Sequence, residues 1–397
     1  MAGLNRRAAL GMGAAGLLAG MRAPRAETIA LPFANGERPM VKYPGKRPLI
    51  GLTSRPPQIE TPFSVYGEGL ITPNDAFFVR YHLADIPLSI DPDTFRLDVK
   101  GLVEHPLSLS LADLKAMPGA ELIAVNQCSG NGRGFFEPRV AGGQAGNGLM
   151  GNAKWTGVPL SALLDRAGVK PGAVQVQFDG LDGPVANTTP DFAKALDLDH
   201  ARDGEVMLAW AMNGEDLPFL NGYPLRLVVP GYYGTYWVKH LNEITVLDKP
   251  LANFWMATAY RIPDNDCNCV VPGAAPAKTK PIGRFKVRSF ITSVQPGATM
   301  KAGPTTLSGI AFDGGSGIKT VEVSADAGAT WRPATLGQDM GRYAFRGWTA
   351  PITLAAGEHA LKVRATSVAG ETQPVEQPWN PSGYLRNLIE TTPVRAA

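Results

Sequence analysis

Cysteine is scarce in this chain, with three residues among 397. That excludes a disulfide-stapled scaffold. CxxCH does not occur, so no c-type haem is attached, and paired CxxC zinc or cluster motifs are missing as well. Cys267 and Cys269 are separated by Asn268 alone. The spacing is expected to strain a mutual disulfide; the roles of both cysteines stay open, with buried thiols as one reading. No GxGxxG or Walker-type glycine loop appears. Charge is sparse too, at 18 % of residues and a net +3, part of it in Arg6, Arg7, Arg22 and Arg25. Without a long basic stripe or an interleaved basic–aromatic surface, nucleic acid is a poor candidate partner. The apolar stretch 8–21 is too short to span a bilayer, and no later stretch reads as a membrane span.

Glycine and proline are plentiful, at 45 and 34 residues, which points to many turns and a strand-rich fold. The composition is 44 % apolar, which makes the chain globular, and its length suits two domains. Asn5-Arg6-Arg7 followed by a weakly apolar stretch is similar to a twin-arginine export signal, ending near residue 30. Such signals export folded proteins, often with a cofactor in place, so a periplasmic location is expected.

In order, residues 31–70 read as an extended, proline-rich lead-in. FFVRYH at 77–82 is strand-like but carries Arg80 and His82. Phe95, Leu97 and Val99 alternate as a half-buried strand. Ser110 and Asp113 form a capping-box pattern for a short helix. A second helix at 159–167 is stopped by Gly168. Strands are expected at 174–178, 205–212, 224–229 and 241–247, with a short helix near 190–196. Residues 132–153 read as a long glycine-rich loop over a site. A linker at 271–283 leads into an all-β region whose strand lengths and turn spacing fit a sandwich. The expected class is α+β: a mixed α/β domain over 71–275, then an immunoglobulin-like β-sandwich over 284–395.

The chemistry concentrates at residues 121–134, ELIAVNQCSGNGRG. An apolar strand runs into a glycine-rich loop with one cysteine and, five residues on, Arg133. Loops leaving a rigid strand are where folds place function. Cys128 is a packed thiol, a nucleophile or a soft-metal ligand, and as a lone cysteine it is more often the first. Arg80, His82, Arg133, Arg226, Lys239, Tyr260 and Arg261 are the other candidates. Arg80, Arg226 and Lys239 interrupt strand-like segments. A buried cation is costly unless an anion compensates it. One thiolate with converging arginines suits a redox metal acting on a small oxyanion.

FFVRYH (77–82), VNQCSGNGR (125–133), PLRLVVPG (224–231), WVKHL (237–241) and Tyr260 together resemble the sulfite oxidase family of molybdenum enzymes. The resemblance covers nearly the whole chain beyond the export signal and is nearest to periplasmic bacterial sulfite dehydrogenases. It implies a molybdenum–molybdopterin cofactor with Cys128 as the protein's metal ligand, and no haem in this chain. It further implies a substrate site of Arg80, Arg133 and Tyr260 with Cys128. Cofactor contacts would come from Phe78, His82, Cys128, Asp182, Arg226 and Lys239. The implied reaction is sulfite to sulfate, with electrons passed to a c-type cytochrome, either soluble or a bound haem subunit. The C-terminal sandwich would be a dimerisation-type domain. Asn221 stands where the family carries a histidine before the Tyr-Pro pair, which puts one pterin contact in question. Tyr232, Tyr233 and Tyr236 fit core packing or a rim for an electron-transfer partner. Two other functions stay open: a molybdoenzyme acting on protein-bound sulfur or sulfoxides, and a non-catalytic periplasmic β-rich protein.

Overall fold

A computed structural model describes residues 27–30 and 35–397. The twin-arginine reading falls on residues outside this range. Residues 35–70, within the stretch expected as an extended lead-in, contribute strands instead. Thr28–Ala30, Glu37–Val41, Leu49–Ser54 and Pro57–Glu60 form an antiparallel meander, and Val79–Arg80 closes it beside Pro57–Glu60. The prolines fall mostly at strand starts and turns, where no ladder N–H is lost. This meander delivers Arg80, paired in register with Gln58.

Two further sheets form the body of the first unit. One runs in the order Ala193–Asp197, Gln175–Gly180, Leu241–Leu247, Leu97–Gly101, Leu107–Leu109, with a single parallel pair between Leu241–Leu247 and Leu97–Gly101. The expected helix near 190–196 is thus a strand. Its Ala-Lys-Ala-Leu run is helix-prone, but pairing with Gln175–Gly180 and burial of Ala193 through Leu196 override propensity. The other sheet joins Ala120–Gln127 to Met150–Pro159 and then Met207–Met212, with Arg226–Val228 on the far side. The short helices follow their sequence signals. Leu111–Lys115 carries the complete Ser110/Asp113 capping box. Leu160–Ala167 ends at Gly168 with φ 68°, a conformation that glycine adopts without a Cβ penalty.

Beyond the strand Thr279–Pro281, which turns back onto Arg261–Pro263, the chain is β-rich. One sheet contains Arg288–Ile291, Gly303–Phe312 and Arg346–Leu354. The other contains Ile318–Ser324, Gly357–Ser367 and Thr391–Ala396. Leu307, Trp348 and Ile352 of the first share a core with Val321, Leu361, Val363 and Val394 of the second. The alternation legible in Leu361, Val363 and Ala365 is the buried face of one such strand.

The two units are tied near the cysteine loop. Arg288, 1 % exposed, donates to Gln127 Oε1 (3.2 Å) and Asn147 Oδ1 (2.9 Å). Val125 N–H donates to the Tyr343 carbonyl (2.9 Å).

Cys267 and Cys269 are not buried thiols. They form a disulfide, with Cα atoms 5.1 Å apart, and Cys267 is exposed. Asn268 between them takes a left-handed φ of 50° and donates to the Pro263 and Asn265 carbonyls, curling the chain so that the two sulfurs meet. Asparagine tolerates that conformation better than most residues, a point the spacing argument left out.

Candidate active site

Cys128 sits where the strand Ala120–Gln127 leaves its sheet. Its amide donates to the Leu149 carbonyl (2.9 Å), and its carbonyl accepts from Asn131 N–H (3.0 Å). Asn131 Oδ1 in turn accepts from Leu149 N–H (2.9 Å). The cysteine loop and the glycine-rich loop before Met150 are therefore stitched together. Glu60 holds the second loop from outside, accepting from Gly146 N–H (2.9 Å) and Gly148 N–H (2.8 Å). Cys128 is a free, half-buried thiol.

Its side chain faces a cleft that collects most of the expected residues: Phe78, Arg80, His82, Arg226, Lys239 and Tyr260. A wider outer cleft shares Arg80, Cys128 and Tyr260 with this one and adds Arg133, Trp255 and Tyr384. Two candidates stand apart. Asp182 is buried behind Lys239, off the walls of both clefts. Arg261 is spent on Thr279 and the Met256 carbonyl. Tyr233 and Tyr236 are packing residues: both are buried, one against Phe285 and the other donating to the Ile282 carbonyl (2.5 Å). Tyr232 is half-buried and stacks on His200. Asn221 lines the inner cleft and braces it, accepting from Lys46 Nζ (2.5 Å) and donating to the Phe78 carbonyl (2.9 Å).

Sequence reasoning gave no role to Asn126, Ser129 and Thr235, yet all three line the inner cleft. Their signal was available, since each is a small polar residue beside Cys128 or within the glycine–aromatic turn at 231–237. Asn126 Oδ1, Ser129 Oγ, Thr235 Oγ1 and Arg226 Nε are buried without a hydrogen-bond partner. Gly234 leaves the space for this arrangement, since a Cβ there would lie 2.5 Å from Asn126 Oδ1. Buried polar atoms are almost always satisfied. A cluster of orphans on one cavity wall marks where a polar ligand belongs.

The electrostatics specify its charge. Arg226, 3 % exposed, donates to the Asn221 (2.8 Å) and Trp237 (3.3 Å) carbonyls and lies over the Trp155 ring. Burial lowers its pKa to about 9. Lys239 is pulled well below the usual lysine range by burial; Asp182 opposes the shift, while Arg226 and Arg80 add to it. Burial pushes Asp182 up to about 6 against the pull of Lys239. His82 is held well below its ordinary value, first by burial and then by Arg80, Lys239 and Lys194. It therefore stays neutral, with Nε2 2.6 Å from Tyr260 Oη and its ring stacked on Phe192. Burial raises Tyr260, so its hydroxyl keeps its proton. Converging cations, unpartnered donors and one thiol fit a large anionic group carrying a soft metal. The residues present match a molybdenum–pterin group on these grounds.

Comparison with known proteins gives the same direction. Residues 83–255 match the oxidoreductase molybdopterin binding domain, and residues 279–395 the Mo-co oxidoreductase dimerisation domain. Human mitochondrial sulfite oxidase is 34 % identical over 375 residues, covering 90 % of this chain and 67 % of that one. Chicken sulfite oxidase is 34 % identical over 384 residues, covering 91 % and 80 %. The crystal structure of the sulfane dehydrogenase SoxCD from Paracoccus pantotrophus superimposes with a TM-score of 0.74 at 28 % identity, covering 96 % of this chain and 92 % of that one. The chain belongs to the sulfite oxidase family of molybdopterin-binding oxidoreductases.

Proposed function

We propose that the protein oxidises sulfite to sulfate and passes the electrons to a c-type cytochrome. The observation that carries this reading is the cationic cleft with unpartnered donors around the single free thiol, Cys128. Cys128 would ligate molybdenum. Arg226, Lys239 and His82 would hold the pterin and its phosphate, with Phe78 on the wall, and Asp182 would set the position of Lys239 from behind. When bound, the cofactor supplies oxygen transfer and a store for the two electrons of SO3(2−) + H2O → SO4(2−) + 2H+ + 2e−.

The chain's own residues do the rest. Arg80 and Arg133 present guanidinium forks that match a small oxyanion. Arg80 is steadied by donating to the Tyr81 carbonyl (2.9 Å) and Arg133 by donating to the Ser382 carbonyl (3.1 Å). Tyr260 keeps its proton and faces the cleft beside neutral His82. The pair can hold and relay a proton at Oη while the arginines keep the anion fixed. Tyr384 stacks on Tyr260, with ring centroids 5.6 Å apart.

The catalytic unit of this reading spans 71–275, with the strands of 37–60 built onto it. Residues 284–395 form an immunoglobulin-like dimerisation unit, and a twin-arginine signal in 1–30 directs the protein to the periplasm. A second reading, oxidation of protein-bound sulfur, is favoured by the likeness to a sulfane dehydrogenase, with the outer cleft as the way in to Cys128. The test supplies the purified holoenzyme with ferricytochrome c and either sulfite or a protein persulfide. Sulfite-dependent reduction at saturable rates is expected. Turnover of the persulfide alone would replace the first reading with the second.

A further inference from the structure

Arg133 occupies an unusually confined slot. A Cβ at Gly130 would lie 2.8 Å from its Cζ, and one at Gly142 would lie 2.7 Å from Nη1. A Cβ at Gly383 would lie 2.9 Å from its Cγ. Glycines from three separate segments thus form the walls. Tyr384 covers a further side, its ring 5.1 Å from the guanidinium carbon, and the guanidinium still lines the outer cleft. Tyr384 is 9 % exposed, is positioned by Asn380 through its own amide, and stacks on Tyr260 at 9°. Ser382, two residues earlier, supplies the carbonyl that Arg133 Nε binds. The C-terminal unit therefore reaches across the chain and contributes one face of the substrate site.

We propose that Tyr384 is a positioning residue for Arg133, and that through it the C-terminal unit sets the affinity of the site for a small oxyanion. The inference rests on the sulfite reading and deepens it. A planar guanidinium that can swing has to lose rotamer freedom when it binds an anion. Glycine walls and a ring face remove that freedom beforehand, so binding costs less entropy. The ring also attracts the cation directly, its centroid lying 5.1 Å from the guanidinium carbon. Loss of the ring should then weaken anion binding up to roughly tenfold. Oxygen transfer itself should change little, because Arg133 acts on bound substrate and product alike.

The test uses holoenzyme in the wild-type, Tyr384→Phe, Tyr384→Leu and Gly130→Ala forms. Two readouts are taken: sulfite KM and kcat with cytochrome c, and the Kd of unreactive sulfate by calorimetry. Tyr384→Leu should raise sulfite KM and sulfate Kd together by roughly tenfold, with kcat within about threefold. Tyr384→Phe, which keeps the ring over Arg133, should bind sulfate more tightly than Tyr384→Leu. Gly130→Ala pushes on the Arg133 guanidinium from a glycine wall and should raise both constants even if the leucine variant does not fold. Unchanged sulfate Kd in Tyr384→Leu or, failing that variant, in Gly130→Ala would overturn the proposal. So would a Tyr384→Phe defect equal to that of Tyr384→Leu. Wild-type enzyme that binds sulfate without oxidising sulfite would sink the substrate reading while the sulfate constants still judge Tyr384.

Discussion

Lys239→Met separates the need for an anion from the need for a fold. The lysine ammonium reaches into the inner cleft, where its direct contacts are the Leu220 carbonyl at 3.3 Å and the Tyr81 ring at 2.8 Å from its centroid. Arg226, Arg80 and Lys46 all oppose its charge, and Asp182 alone favours it. In the cofactor-free protein this cation therefore contributes little to stability. Methionine has similar length and no charge, so the apo variant should melt at the wild-type temperature or above it. With cofactor bound, the same lysine makes a charge-assisted contact of about 1.5–3 kcal/mol. Its loss should weaken cofactor retention roughly 10- to 100-fold. The assay compares apo and holo melting temperatures and follows pterin release during dialysis by fluorescence. The gap between apo and holo melting should shrink in the variant, and release should accelerate. Wild-type retention of pterin, or an apo variant that melts far below wild type, would refute the assignment of Lys239 to an anionic ligand.

Other predictions follow from buried groups outside the inner cleft. Lys194 is fully buried, with Nζ on the Trp255 carbonyl (2.7 Å) and over the Tyr236 and Tyr260 rings. Burial lowers its pKa from 10.5 to about 7. Because the unfolded chain binds the extra proton between the two values, stability rises as pH goes from 7 toward 10.5, falls as pH returns to 7, and levels off below 7, where both states carry the proton. Urea unfolding should show Lys194→Met gaining about 2 kcal/mol less than wild type between pH ~7 and ~9. Parallel pH profiles would contradict that. Glu60 accepts one glycine amide on each carboxylate oxygen. Glu60→Gln turns one acceptor into a donor facing an N–H, at a cost of about 1–3 kcal/mol. Its melting temperature should fall, and trypsin should cut faster after exposed Arg139 in the released loop. Cleavage at the wild-type rate would show that Glu60 does not clamp the loop.

Much of the site was legible because its residues break local rules. Arg80, Arg226 and Lys239 put charge into strand-like apolar runs, and Cys128 followed a strand directly into glycine. Such departures from a consistent pattern mark function. The capping box at Ser110 and the stop at Gly168 were legible because they are local. The strand at Ala193–Asp197 was not, since its partner Gln175–Gly180 lies elsewhere in the chain and pairing decided against helix propensity. The meander of 28–60 was hidden by prolines that sit at its turns. Tyr384 was missed because it reaches Arg133 from 251 residues away, a distance no spacing argument bridges. The Cys267–Cys269 bond depended on the backbone conformation of one residue, Asn268.

The most direct test of the central claim is molybdenum content measured alongside sulfite-dependent cytochrome c reduction in wild type and Cys128→Ala. Wild type should carry stoichiometric molybdenum and turn over, and the variant should keep its fold while losing turnover. A Cys128→Ala protein that oxidises sulfite at the wild-type rate would contradict the account.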